Sequence, residues 1–159
     1  WAFLDYVNLA FHEAGHLFLS FAGETIHILG GTLGQLAVPL LLGAYFLLRQ
    51  GQPFAAAVCA WWVGENLANV SYYMADARDL ALPLVGGGEH DWNTLFFKFG
   101  MLTEPWVQRI SGSTRLLGVV IMLIGLTWAG FLSATEAWRR ERQERLIMRW
   151  PWLEPLLER

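Results

Sequence analysis

The stretch Leu116-Leu117-Gly118-Val119-Val120-Ile121-Met122-Leu123-Ile124-Gly125 is ten consecutive residues without a polar side chain, and it sets the solvent in which the chain folds. Crossing a hydrocarbon core about 30 Å thick takes about 20 mainly apolar residues in a helix. Apolar character continues past this stretch, so about Leu116 to Trp138 reads as one crossing helix. Three further segments read the same way: Trp1 to about Ala22, about Thr32 to Leu48, and Phe54 to about Ala75. The second and third are separated by the turn Arg49-Gln50-Gly51-Gln52-Pro53. The expected fold is therefore an all-α membrane protein, a bundle of four transmembrane helices over residues 1–138. A Gly-rich extramembrane or re-entrant loop joins helices 3 and 4, and a basic, Trp-containing tail over 139–159 lies in the cytoplasm or along the membrane surface.

Composition agrees. Of 159 residues, 55% are hydrophobic and only 16% charged, against about 25% charged in an average soluble domain. The formal net charge of −3, from 11 Lys and Arg against 14 Asp and Glu, excludes a nucleic-acid partner held by a basic surface. The lone Cys59 has no partner for an intrachain disulfide. The chain opens at Trp1 without a basic, signal-like region, which reads as a truncation or as the beginning of the ordered part. Arg139, Arg140, Arg142, Arg145 and Arg149 follow the last apolar segment, and the positive-inside rule places such a cluster in the cytoplasm. Threading back through four spans puts both ends in the cytoplasm and the 76–113 loop outside. The expected location is a bacterial plasma (inner) membrane, with the lipid bilayer and membrane-protein substrates or partner subunits as partners.

Chemistry concentrates in His12-Glu13-Ala14-Gly15-His16. Imidazoles at i and i+4 share one helix face, so both can meet one Zn2+ while Glu13 stands beside them as a general base. Asp5, Asn8, His12 and His16 recur at intervals of three and four and form one polar stripe. Glu65, Asn69, Tyr72 and Asp76, with Asn66 beside them, form a second stripe on the third apolar segment, and Gln35 adds to the polar interior. Such faces line a cavity or join helices by hydrogen bonds. A catalytic zinc site needs a third protein ligand. The segment from Leu82 to Trp92, with Gly86-Gly87-Gly88 ahead of His90 and Asp91, is the expected supplier; the order of preference is His90, Asp91, then Asp76. His27 is a weaker candidate and reads as an interfacial side chain.

These residues resemble the site-2-protease family of intramembrane zinc metallopeptidases. The resemblance rests on H-E-x-G-H at His12 to His16, the Gly30-Gly31 pair and Pro39 in the next helix. It covers about the first half of the chain, with a weaker echo in the Gly-rich loop. Family members carry a third ligand as Asp in a Leu-Asp-Gly pattern; here Pro83-Leu84-Val85-Gly86-Gly87 places Val85 at that position. The resemblance implies a compact, divergent member that hydrolyses peptide bonds of membrane-associated substrates. His12, His16 and a loop residue would hold zinc, Glu13 would move the proton, and Asn66 or Asn69 would position substrate or stabilise the oxyanion. The alternative expectation is a catalytically silent, metallopeptidase-like subunit with a structural or regulatory role in a larger membrane complex.

Overall fold

The computed structural model describes residues 3–84 and 89–149. Among them the chain is helical throughout: α1 Phe3–Phe18, α2 Glu24–Leu48, α3 Pro53–Ala75, α4 Asp91–Lys98 and α5 Glu104–Arg149, with a single 3-10 turn at Ser20–Ala22. Val85, the Gly86-Gly87-Gly88 run and the tail from Trp150 onward, including Pro151 and Pro155, lie outside the described residues.

Two helices, α2 and α5, are long and apolar enough to cross a membrane. The four expected crossings are thus corrected to two. The 16 residues of α1, rising about 1.5 Å each, cover about 24 Å and fall short of a 30 Å core. The α3 helix has the length, but Glu65, Asn66, Asn69, Ser71, Tyr72 and Tyr73 dilute its apolar character. Both α2 and α5 present large apolar side chains outward: Leu41 is 70% exposed, Leu116 67% and Phe131 66%.

Local boundaries follow from the turn chemistry. Gly23, at φ 91° and ψ 160°, occupies a backbone region open essentially to glycine and separates the 3-10 turn from α2. Consequently α2 begins at Glu24, eight residues before the expected Thr32, and takes His27, Gly30 and Gly31 into its first turns. Pro53 starts α3 at a position where its missing N–H costs nothing. The loop between α3 and the last long helix contains α4, a helix the periodicity did not reveal. Its end is a paired reverse turn: the Gly100 N–H donates to Phe97 O and the Met101 N–H to Phe96 O, with Gly100 at φ 67°.

Packing is by close backbone approach. A Cβ on Gly15 would run into the carbonyl of Gly30, and one on Gly34 would come within 2.6 Å of Phe11 O. The α1 and α2 helices are therefore antiparallel and pressed together at glycine. The same holds for α3 and α5, where Gly64 faces Gly118 and Met122 while Gly125 faces Trp61 and Ala57. Antiparallel α3 and α5 bring the Arg49 turn and the Arg139 region to one end of the bundle. At the opposite end, Val70, Met74 and Ala77 of the third helix and its extension bury against Phe96 of α4 and Val107 of α5. That apolar cluster fixes where α4 starts, and with it Asp91.

Candidate metal centre

The α1 stripe faces inward as its spacing requires. Asn8 and His12 are buried, at 1% and 8% exposure. The close approach at Gly15 lays His12 and His16 over Gly31 of α2; a Cβ there would strike Nε2 of both imidazoles. The two rings stand edge to face, 4.9 Å between centroids. Asp91, the first residue of α4, completes the group, with Oδ2 at 2.9 Å from His12 Nε2 and 3.2 Å from His16 Nε2. Among the described residues, His12, His16 and Asp91 form the one group of three such side chains whose ligand atoms all lie within 4.8 Å.

Each imidazole is oriented from behind. His16 Nδ1 lies 2.8 Å from the backbone carbonyl of His27, which can only accept, so that nitrogen carries the ring proton and Nε2 presents a lone pair. His27 returns the contact, its Nδ1 lying 3.0 Å from His16 O, and thereby ties α1 to α2 outside the three-residue group. His12 Nδ1 lies 3.3 Å from Gln35 Oε1. Gln35 Nε2 donates to Asn69 Oδ1 at 3.0 Å, and Asn69 Nδ2 donates to Asp5 Oδ1 at 3.2 Å.

Asp5 accepts only, so the amide directions follow from it and place a proton on His12 Nδ1 as well. With both rings neutral, their two Nε2 lone pairs and the Asp91 Oδ2 converge on one point. Such a trio is repulsive until a cation joins it. A proton bridges two of the three atoms; a metal ion satisfies all of them. Metal bonds of about 2.0 Å in tetrahedral array set donor atoms about 3.3 Å apart, close to the two His–Asp separations here, so the group could hold a metal ion of that size.

The structure separates His90 from this group, although it stood ahead of Asp91 in the expected order. His90 caps α4: its Nδ1 accepts the Asn93 N–H at 3.2 Å, and its ring packs on Tyr73 at 4.1 Å between centroids. Burial holds this imidazole below its ordinary range, against the opposing pull of the Asp76 and Asp91 carboxylates. A neutral ring is what a cap that accepts at Nδ1 requires. Nε2 is buried without a hydrogen bond, 3.5 Å from Asp76 Oδ2. Asp76 itself accepts the N–H groups of Ala81 and Leu82, closing the turn after α3.

Asn66 is fully buried and donates to Trp62 O, while both polar groups of Asn69 are engaged between Gln35 and Asp5. Glu13, next to His12 along α1, is exposed, and no hydrogen bond to its carboxylate is found among the described residues. Tyr73 is a site residue the sequence reading passed over: its hydroxyl accepts the Asp91 N–H at 3.2 Å and lies in the field of Asp91, Glu13 and Asp76. Its signal was present, because Tyr73 is four residues beyond Asn69 and shares its face.

The chain matches no family model, no curated protein and no solved structure.

The bare Cα of Gly31 gives one direct check. Gly31→Ala is expected to weaken zinc binding about tenfold to a hundredfold, because the methyl group occupies the space of both Nε2 atoms. Zinc titration against a competing chelator measures the loss, and an unchanged circular dichroism spectrum separates it from unfolding.

Proposed function

We propose that this chain is a compact, site-2-protease-like intramembrane zinc metalloendopeptidase that hydrolyses peptide bonds of membrane-associated substrates. The observation that carries the reading is the convergence of His12 Nε2, His16 Nε2 and Asp91 Oδ2, with both Nδ1 atoms already engaged behind them. Two His from H-E-x-x-H and one Asp are the donor set the resemblance implies, with Asp91 supplied from α4 in place of the Leu-Asp-Gly position.

His12, His16 and Asp91 would hold Zn2+, which supplies a Lewis acid and makes water a nucleophile near neutral pH. Glu13, next to His12 and free of other partners among the described residues, takes the water proton and passes it to the leaving amine. With Asn69 engaged at both polar groups and Asn66 wholly buried with its amide on Trp62 O, the donor toward the developing oxyanion is the Tyr73 hydroxyl, which accepts from Asp91 N–H and keeps its own proton available. The apolar faces of α2 and α5 meet the acyl chains of the bilayer. The Arg49 turn and the Arg139 region lie at the end of the bundle away from the metal centre, and by the positive-inside rule this supports a cytoplasmic side for that end in a bacterial inner membrane.

The test is purified protein in detergent with a membrane-embedded helical reporter. Zinc is expected at one per chain, and Glu13→Gln is expected to keep that zinc while losing cleavage by at least about a hundredfold. Stoichiometric zinc without cleavage of any membrane substrate would favour the silent-subunit alternative; absence of bound zinc would sink the reading.

A further inference from the structure

We propose that Asp5 is a positioning residue for the metal centre, acting on His12 through Asn69 and Gln35. The proposal rests on the metal reading above. The chain of contacts crosses three helices: Asp5 on α1, Asn69 on α3, Gln35 on α2 and back to His12 on α1. Each link points the same way. His12 donates to Gln35, Gln35 to Asn69, and Asn69 to the carboxylate, so every donor is turned toward Asp5. Aligned hydrogen bonds polarise one another. The negative charge at the far end therefore makes His12 Nε2 a better donor, as a carboxylate bonded directly to a ligating imidazole does. Gln35 is 3% exposed, so water does not compete at the central link. The neighbouring carboxylate, Glu65, accepts instead from Asn8 at 2.8 Å, and Asn8 Oδ1 accepts from Trp62 Nε1 at 2.9 Å; that branch does not reach His12.

The charge on Asp5 can be separated from its packing. Asp5→Asn preserves the shape of the side chain and its acceptor for Asn69, yet removes the charge. In Asp5→Asn combined with Gln35→Glu, a carboxylate sits directly on His12 Nδ1, Asn69 reverses to donate to it, and the new amide at position 5 donates to Asn69. The three links from His12 to position 5 are then satisfied with the charge moved to the other end. In Gln35→Glu alone, Asn69 Oδ1 must face Asp5, and two acceptors are left opposed.

The experiment is zinc titration of the full chain in detergent micelles against a competing chelator, with thermal denaturation of the metal-free protein in parallel. Asp5→Asn is expected to weaken zinc about tenfold with little change in metal-free stability. The Asp5→Asn, Gln35→Glu pair is expected to regain wild-type affinity or better, and Gln35→Glu alone to lose metal-free stability relative to the pair. An unchanged zinc Kd in Asp5→Asn, or a weakened one that the pair does not restore, would overturn the proposal while leaving the metal centre intact. Wild-type protein that takes up no zinc would overturn the metal centre itself, and this role for Asp5 with it.

Discussion

Asp91→Ala is expected to lower zinc affinity nearly a thousandfold and to abolish cleavage, whereas His90→Asn keeps zinc binding within about tenfold. Zinc sites in small domains yield about 10–16 kcal/mol over four ligands, or up to about 4 kcal/mol for a strong donor, which is near a thousandfold. Asp91 belongs at the upper end because it brings the one negative charge of the trio. His90 ligates nothing in this arrangement: it caps α4 through Nδ1, and Asn is as good a cap. Zinc titration and reporter cleavage on the two variants decide the matter. Retained affinity in Asp91→Ala with loss in His90→Asn would restore His90 as the third ligand.

Gly15→Ala is expected to damage both the fold and the site. The methyl group meets the Gly30 carbonyl, a backbone atom that cannot swing aside, so α1 and α2 must separate along their whole contact. Overpacking of side chains costs about 1–3 kcal/mol, and a backbone-to-backbone clash belongs at or above the top of that range. Separation of the helices also lifts His12 and His16 off Gly31 and breaks the paired contacts between His16 and His27. A lower melting temperature of the metal-free protein and loss of zinc uptake should therefore appear together. Stability preserved with zinc lost would mean that Gly15 serves the ion and not the helix contact.

Much of the site was legible because helical spacing is strict. His12 and His16 at i, i+4, with Asp5 and Asn8 on the same face, required only the pitch of α1. What spacing does not encode is which of two adjacent loop residues joins the two imidazoles. His90 and Asp91 are neighbours in sequence, and the choice is made by α4, whose cap consumes the imidazole and leaves the carboxylate pointing at the pair. An eight-residue helix is too short for periodicity to reveal; the readable cue was the Phe99-Gly100 stop. The second stripe holds at Glu65 and Asn69, which bond to the α1 and α2 side chains, but Tyr72 is exposed and Tyr73 takes the place at the site. The Gly30-Gly31 pair read as part of a short connection, although in the structure glycine inside α2 is what allows α1 to touch it. The number of crossing helices was overread because a polar stripe lowers hydropathy without shortening a helix, as in α3, while α1 is simply short.

The unbroken 46 residues of α5 give it a length of about 69 Å, more than twice the thickness of one hydrocarbon layer. On the membrane reading, a single crossing takes up less than half of that rod. The ion pairs Arg140–Glu136 and Arg145–Glu141, each one turn apart, suit a stem that holds its shape without neighbours. Between Trp138 and Arg149 the stem extends about 17 Å, so on the membrane reading whatever engages its arginines does so at a stand-off from the headgroups set by the helix itself.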